Sequence, residues 1–275
     1  MLWGQYRILT AAKLLLFLHI CKILCIFAAN FHDMASISKA QIKLIRSLQH
    51  KKYRDELGLF VAEGQKCIEE LKKSFDLVIE VTPANATESE IAQMSGLKTP
   101  QGEIGVFKKR PEGYNKSQMS DLMLAIDGVQ DPGNLGTIIR TCDWFGVHQI
   151  VCSKDTADCY NPKVVQATMG SLTRVQLIYT DLSDWLREQK RPIYGTLLDG
   201  KNMYDVLTHE RVIELKDKGA IIVMGNEGNG ISQEVRKVIS TPILIPSYPS
   251  KTETSESLNV AIATAIVLAE FRRLL

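Results

Sequence analysis

The chain reads as an α/β protein: a mostly parallel sheet with helices on both faces, preceded by a smaller α/β unit. Two observations predict this. At 275 residues, 45% hydrophobic and 23% charged, the chain can bury one or two sizeable cores. The same fractions exclude a disordered, collagen-like or polytopic membrane protein. From residue 121 onward short apolar runs alternate with amphipathic segments, the pattern of strands buried on both faces between covering helices.

The first 33 residues differ in composition from the rest of the chain. Residues 8–29 are apolar and long enough to span a bilayer, for which about 20 residues suffice. Lys13, His19 and Lys22 interrupt them, and each Lys near a membrane centre costs on the order of 3 kcal/mol. Two readings stand. One is a leader, with Arg7 and Lys13 as its basic region and residues 14–20 as its apolar core. The other is upstream sequence read in frame ahead of a start at Met34, where the composition changes; this is the working expectation.

Residues 34–107 carry their own alternation. Ile37, Ile42, Leu44, Ile45 and Leu48 repeat at helical spacing. Residues 57–62 suit a strand, 64–73 a helix and 77–81 a second strand. Residues 87–94 suit a short helix, with Thr87 and Glu90 spaced as a capping box. A last strand is expected at 105–108 and a linker at 108–120. Within 39–54 stand six basic residues and no acidic one. Lys51, Lys52 and Arg54 close that cluster and are the candidate contacts to a phosphate backbone, because each neutralised phosphate releases counterions. A solvated helix face accounts for the same charges. Total charge does not decide, since Lys+Arg 33 against Asp+Glu 31 leaves only +2.

In 121–275 strands are expected at 122–126, 149–152, 174–178, 193–198, 220–224 and 242–245. Helices are expected at 135–145, 162–170, 181–189, 232–239 and 257–274. Ligands in such sheets sit at the carboxyl ends of strands, so the loops at those ends are where chemistry is sought. Cys67, Cys142, Cys152 and Cys159 lack paired CxxC spacing and read as free thiols in a reducing, cytoplasmic compartment. No metal-ligand spacing is present, and no metal is expected.

Three loops stand out. In the first, 127–142, a Pro-Gly turn leads into a helix that Asn134 is placed to cap, with Arg140 six residues on as either a surface charge or a guanidinium aimed into a cleft. In the second, Gly225-Asn226-Glu227-Gly228-Asn229-Gly230, three glycines come after a buried strand and free the backbone to approach a ligand. It matches neither the phosphate loop nor GxGxxG, and no lysine stands after it for a triphosphate. In the third, Ile245-Pro246 leads through a long polar stretch to Ser257-Leu258-Asn259-Val260, where Ser257 and Asn259 suit a helix cap. Singly, none of these loops names a reaction.

Together and in this order, Asn134-x5-Arg140, Gly225 to Ile231, and Ile245-Pro246 with Ser257 to Val260 resemble the SpoU (TrmH) family of RNA ribose 2′-O-methyltransferases, of the SPOUT superfamily. Residues 34–107, including Lys51-Lys52-Tyr53-Arg54 and Leu59 to Gly64, resemble the L30e-type RNA substrate-binding domain fused ahead of it. The resemblance implies four segments: 1–33, 34–107, a linker 108–120, and a methyltransferase domain 121–275 with a C-terminal trefoil knot. It implies S-adenosylmethionine as cofactor near Thr196, Gly225, Ile245 and Leu258, and an active-site polar set of Asn134, Arg140, Glu227, Ser257 and Asn259. It further implies a homodimer acting on structured RNA, ribosomal RNA ahead of tRNA. The stretch between Pro246 and Ser257 is longer than the family pattern, and Pro249 stands where a glycine is common. A non-catalytic RNA-binding protein of the same fold is the alternative.

Overall fold

The computed structural model describes residues 36–111, 121–248 and 257–275. The expected leader, most of the linker, and the loop around Pro249 lie outside the described residues.

The first unit begins with α1 (Lys39–Ser47), opened by a capping box between Ser38 and Gln41, and α2 (Lys51–Leu57). Gly58 ends α2 at φ 64°, a left-handed conformation that favours glycine, and turns the chain into β1 (Leu59–Glu63). Next come α3 (Gln65–Lys72), β2 (Leu77–Val81), α4 (Glu88–Met94) and β3 (Ile104–Lys108), with the Thr87–Glu90 capping box in place. The three strands form an antiparallel sheet in the order β1-β3-β2. Period-two alternation gives it two buried faces. Val61, Ile79, Val81, Ile104 and Val106 pack with Ile45, Leu48, Ile91 and Met94 from α1, the turn after it and α4. Phe60, Ala62 and Phe107 face the other way, with Ile68 and Leu71 of α3, and join the core of the second unit.

The second unit runs β4 (Leu122–Ile126), α5 (Pro132–Trp144), β5 (Gln149–Ser153), α6 (Pro162–Thr168), β6 (Gln176–Thr180), α7 (Leu182–Arg187) and β7 (Ile193–Asn202). It continues with α8 (Met203–Val206), α9 (His209–Lys218), β8 (Ala220–Met224), α10 (Gln233–Arg236), β9 (Thr241–Leu244) and α11 (Val260–Leu274). Its six strands are parallel, in the order β6-β5-β4-β8-β7-β9. On one face Leu122, Leu124 and Ile126 pack with α5, α6 and α11 through Leu135, Ile138, Val164 and Phe271. On the other, Met123, Ala125, Ile221 and Val223 pack with Leu182, Leu186 and Val235. Each such side chain contributes about 1.5–3 kcal/mol by leaving water.

β7 partners β9 twice. Tyr194 to Thr196 lie beside Thr241 to Ile243, and after an irregularity Lys201 and Asn202 lie beside Ile243 and Leu244. Ile243 therefore has a partner from each half of β7. At Gly200 the backbones come so close that a Cβ would overlap that of Ile243.

Several expectations are corrected. β6 begins two residues later than expected, after a short 3-10 turn at Ser171–Thr173, and as an edge strand it is not buried on both faces. β7 extends to Asn202, and α8 and α9 fill a stretch for which the sequence pattern predicts no helix. The helix expected at 257–274 starts at Val260.

Candidate active site

Asp131 opens α5. Its side chain accepts from the Asn134 backbone N–H at 2.7 Å, with Pro132 in the first turn where a missing N–H costs nothing. The cap is therefore Asp131. Asn134 sits inside the first turn with its side-chain amide free for other work, which corrects the expectation that it caps the helix.

The glycine loop leaves the end of β8 through a narrow pairing. Asn226 and Gly230 exchange backbone hydrogen bonds of 2.9 and 3.0 Å, while the Asn226 side chain donates to the Gly128 carbonyl at 2.6 Å and accepts from the amides of Gly228 and Asn229. Gly225 admits no side chain, because a Cβ there would overlap the backbone of Gly230. The loop is held open at its tip and presents Glu227 to solvent.

Asn259 caps α11, its carbonyl oxygen accepting from the N–H groups of Ala261 and Ile262. That leaves its amide N–H to donate to Asn134 Oδ1 at 2.9 Å, and the Asn134 amide in turn donates to Glu227 Oε1 at 3.0 Å. The backbone amides of Gln130 and Asp131 face the same carboxylate at a longer 3.4 Å. Loops after β4 and β8 and the start of α11 are thus tied into one polar chain at a single end of the sheet.

The remaining expected residues separate into groups. The Thr196 hydroxyl donates to the Val223 carbonyl at 3.2 Å and lies 3.7 Å from the Met224 sulfur. With Gly225 just past β8 and half-buried Ile245 just past β9, it marks the adjoining ends of β7, β8 and β9, and exposed Leu258 precedes the α11 cap. Such a set of backbone, small and apolar groups fits an S-adenosylmethionine: carboxyl ends of neighbouring strands, a close-approach glycine and aliphatic flanks. Arg140 is exposed and joins no described partner. It lies about 9 Å along α5 from Asn134 and a third of a turn round, outside the polar chain. Ser257 is exposed and does not cap α11, so that role passes to Asn259.

Of the basic candidates, Lys51 and Lys52 are exposed, with Lys51 paired to Asp55 at 3.0 Å. Arg54 is corrected. It is 1% exposed, donates to the carbonyls of Leu48 and Gln49, and forks onto Asp158 Oδ2 at 3.0 and 2.7 Å. It joins the two units and is closed to RNA.

Two braces carry little signal in the sequence. Asp127 accepts from the Ser232 N–H at 2.7 Å, and Ser153 Oγ accepts from the Gly128 N–H at 2.8 Å. Their one signal is position, since each stands at the end of a strand.

The four described cysteines are buried and free, and burial pushes the Cys67 thiol up to about 11. Among the described residues no group of three His, Cys, Asp or Glu could hold a metal, and no helix is long and apolar enough to cross a membrane.

Comparison with known proteins agrees with this geometry. Residues 121–269 match the SpoU rRNA Methylase family, and residues 39–82 match the MRM3-like substrate binding domain. The Bacillus subtilis 23S rRNA (guanosine(2553)-2′-O)-methyltransferase RlmP is 29% identical across 87% of this chain and 99% of its own length. A solved structure of a putative RNA methyltransferase of the TrmH family from Porphyromonas gingivalis is 38% identical, covering 87% of this chain and 99% of that one at a TM-score of 0.76. An AdoMet-bound rRNA methyltransferase from Sinorhizobium meliloti is 31% identical, covering 88% and 97% at 0.75. With its second unit matched almost end to end and the strand-end loops of that unit joined into one polar chain, the chain belongs to the SpoU rRNA methylase family.

Proposed function

We propose that the protein is an S-adenosylmethionine-dependent RNA 2′-O-ribose methyltransferase acting on ribosomal RNA. The observation that carries this reading is the chain Asn259–Asn134–Glu227, which draws three strand-end loops to one place beside Thr196, Gly225, Ile245 and Leu258. Those four residues would hold the cofactor, which supplies the electrophilic methyl group when bound. In support, a relative over the whole chain is named as a 23S rRNA 2′-O-methyltransferase, and one neighbouring structure holds AdoMet.

The residues of this chain orient and bind. Glu227 and the two asparagine amides fix the loops that line the ribose, and holding two reactants in attack geometry can supply roughly 7–11 kcal/mol. Arg140, exposed and without a described partner, is available to grip the phosphate next to the target ribose in bidentate fashion and to orient the 2′-hydroxyl. A guanidinium with a pKa above about 12 is a poor proton acceptor, so gripping and orienting is its assigned role. A homodimer, with exposed Leu258 and Ile262 near the site covered by the second copy, completes the reading. The proposal also takes the chain between β9 and α11 to pass through a trefoil knot, the segments 34–107 and 121–275 as substrate-binding and catalytic domains, no bound metal, and a cytoplasmic location.

The test is methyl transfer from tritiated S-adenosylmethionine to unmodified ribosomal RNA, with nuclease digestion of the product. Label in a 2′-O-methylated nucleoside is expected. RNA binding without label would instead establish the non-catalytic alternative.

A further inference from the structure

The two units meet along a seam that is only partly filled. Phe60, Phe75 and Phe107 of the first unit pack on Tyr160 of the second, with Phe60 and Tyr160 ring centroids 4.8 Å apart. Buried Arg54–Asp158 fixes the joint. Beside it lies a cleft of about 310 Å³, at the small end of ligand-sized cavities of about 300–1,000 Å³. Lys51, Lys109, Arg110 and Lys154 line it, with apolar surface from Phe75 and Tyr160.

Its charge is not balanced. Asp158 is occupied by Arg54, and Asp55 alone is shared by Lys51 at 3.0 Å and Lys109 at 2.7 Å. Arg110 donates to the Thr173 carbonyl at 2.7 Å, and its guanidinium lies 4.5 Å from the Phe75 ring centre. Among the described residues, neither Arg110 nor Lys154 has a carboxylate within ion-pair distance. Half-buried cations left over beside aromatic surface suit one kind of guest, an anion attached to a flat or apolar body.

Position narrows the guest further. Lys154 stands directly after β5, and the loop it starts is bonded to the loop that leads to Asn134: Gly128 N–H donates to Ser153 Oγ at 2.8 Å and Ala157 N–H to the Val129 carbonyl at 2.9 Å. One short loop therefore separates the cleft from the proposed reaction site. We propose that the cleft binds a nucleotide of the RNA strand running away from the target ribose, with the four cations on its phosphate and Tyr160 and Phe75 beside its sugar and base. This rests on the RNA reading above and names a second anchoring point for the same substrate.

The test uses the full-length protein and a fluorescein-labelled single-stranded RNA, with affinity measured at several salt concentrations. Exposed Lys51 and Lys154 are reversed together (Lys51→Glu with Lys154→Glu), and Lys237→Glu, beside α10 on the opposite sheet face, is the charge-matched control. The double variant is expected to raise Kd about tenfold or more and to flatten the salt slope by about 2, one for each lost phosphate contact. The control should stay within twofold, and melting temperatures should match. An unchanged Kd and slope in the double variant, or an equal loss in the control, would overturn the proposal. So would AMP that binds wild type but not the double variant while RNA affinity is unaltered, since the cleft would then serve free nucleotide. Binding is read without turnover: wild type that binds RNA through the cleft but transfers no methyl group upholds this inference and refutes the enzymatic reading.

Discussion

The Asn134 side-chain amide donates to Glu227 at 3.0 Å across 93 residues of chain, and its orientation is forced. Asn259 commits its carbonyl oxygen to capping α11, so its N–H faces Asn134, whose own N–H must then face the carboxylate. Asn134→Asp keeps the volume and replaces that donor by a second acid. Turnover is expected to fall about a hundredfold, because small misplacement of loops around reacting groups costs that much. Circular dichroism should be unchanged, and activity within threefold of wild type would contradict the orienting role.

Arg140→Lys keeps the charge and loses the fork. If Arg140 grips phosphate bidentately, turnover should drop about a hundredfold or more while cofactor affinity, read by calorimetry, is retained. Near-normal turnover would remove Arg140 from the mechanism.

Gly225→Ala places a methyl group on the backbone of Gly230. The strand-end loop must open to admit it, and overpacking of this kind costs typically about 1–3 kcal/mol. Weakened cofactor binding and a lower melting temperature are expected together. A variant that binds cofactor as wild type does would show that the loop closure is dispensable.

Arg54→Met leaves Asp158 buried beside the seam without its partner. The expected loss is roughly 3–5 kcal/mol in urea unfolding, whereas Arg54→Met with Asp158→Leu should recover most of it. An unshifted midpoint in the single variant would mean the pair does not hold the units together.

How much of this is legible in the sequence depends on what each segment packs against. β4 and β8 are readable to the residue, because each is an uninterrupted apolar run of five ending at a polar or glycine position. The apolar pattern places β6 two residues early because the strand lies at the sheet edge, where Gln176 and Tyr179 need not be aliphatic. α9 is largely polar and offers no apolar stripe to read. The Asp-Pro start of α5 is on view, but a capping-type side chain at Asn134 draws the boundary inward; only the contact with Glu227 reveals its other use. Arg54 groups with Lys51 and Lys52 in the sequence since local charge cannot show a partner 104 residues away. The site residues themselves stand out through their combined spacing, and their joining into one chain needs the fold.

The central claim is that this polar chain serves transfer of a methyl group to a ribose hydroxyl. Mass spectrometry of nucleosides from unmodified ribosomal RNA, incubated with S-adenosylmethionine and either wild type or Asn134→Asp protein, tests it most directly. A 2′-O-methylated nucleoside formed by wild type and nearly lost with the variant is the predicted result; a methyl group on a base, or equal product from both proteins, would contradict it.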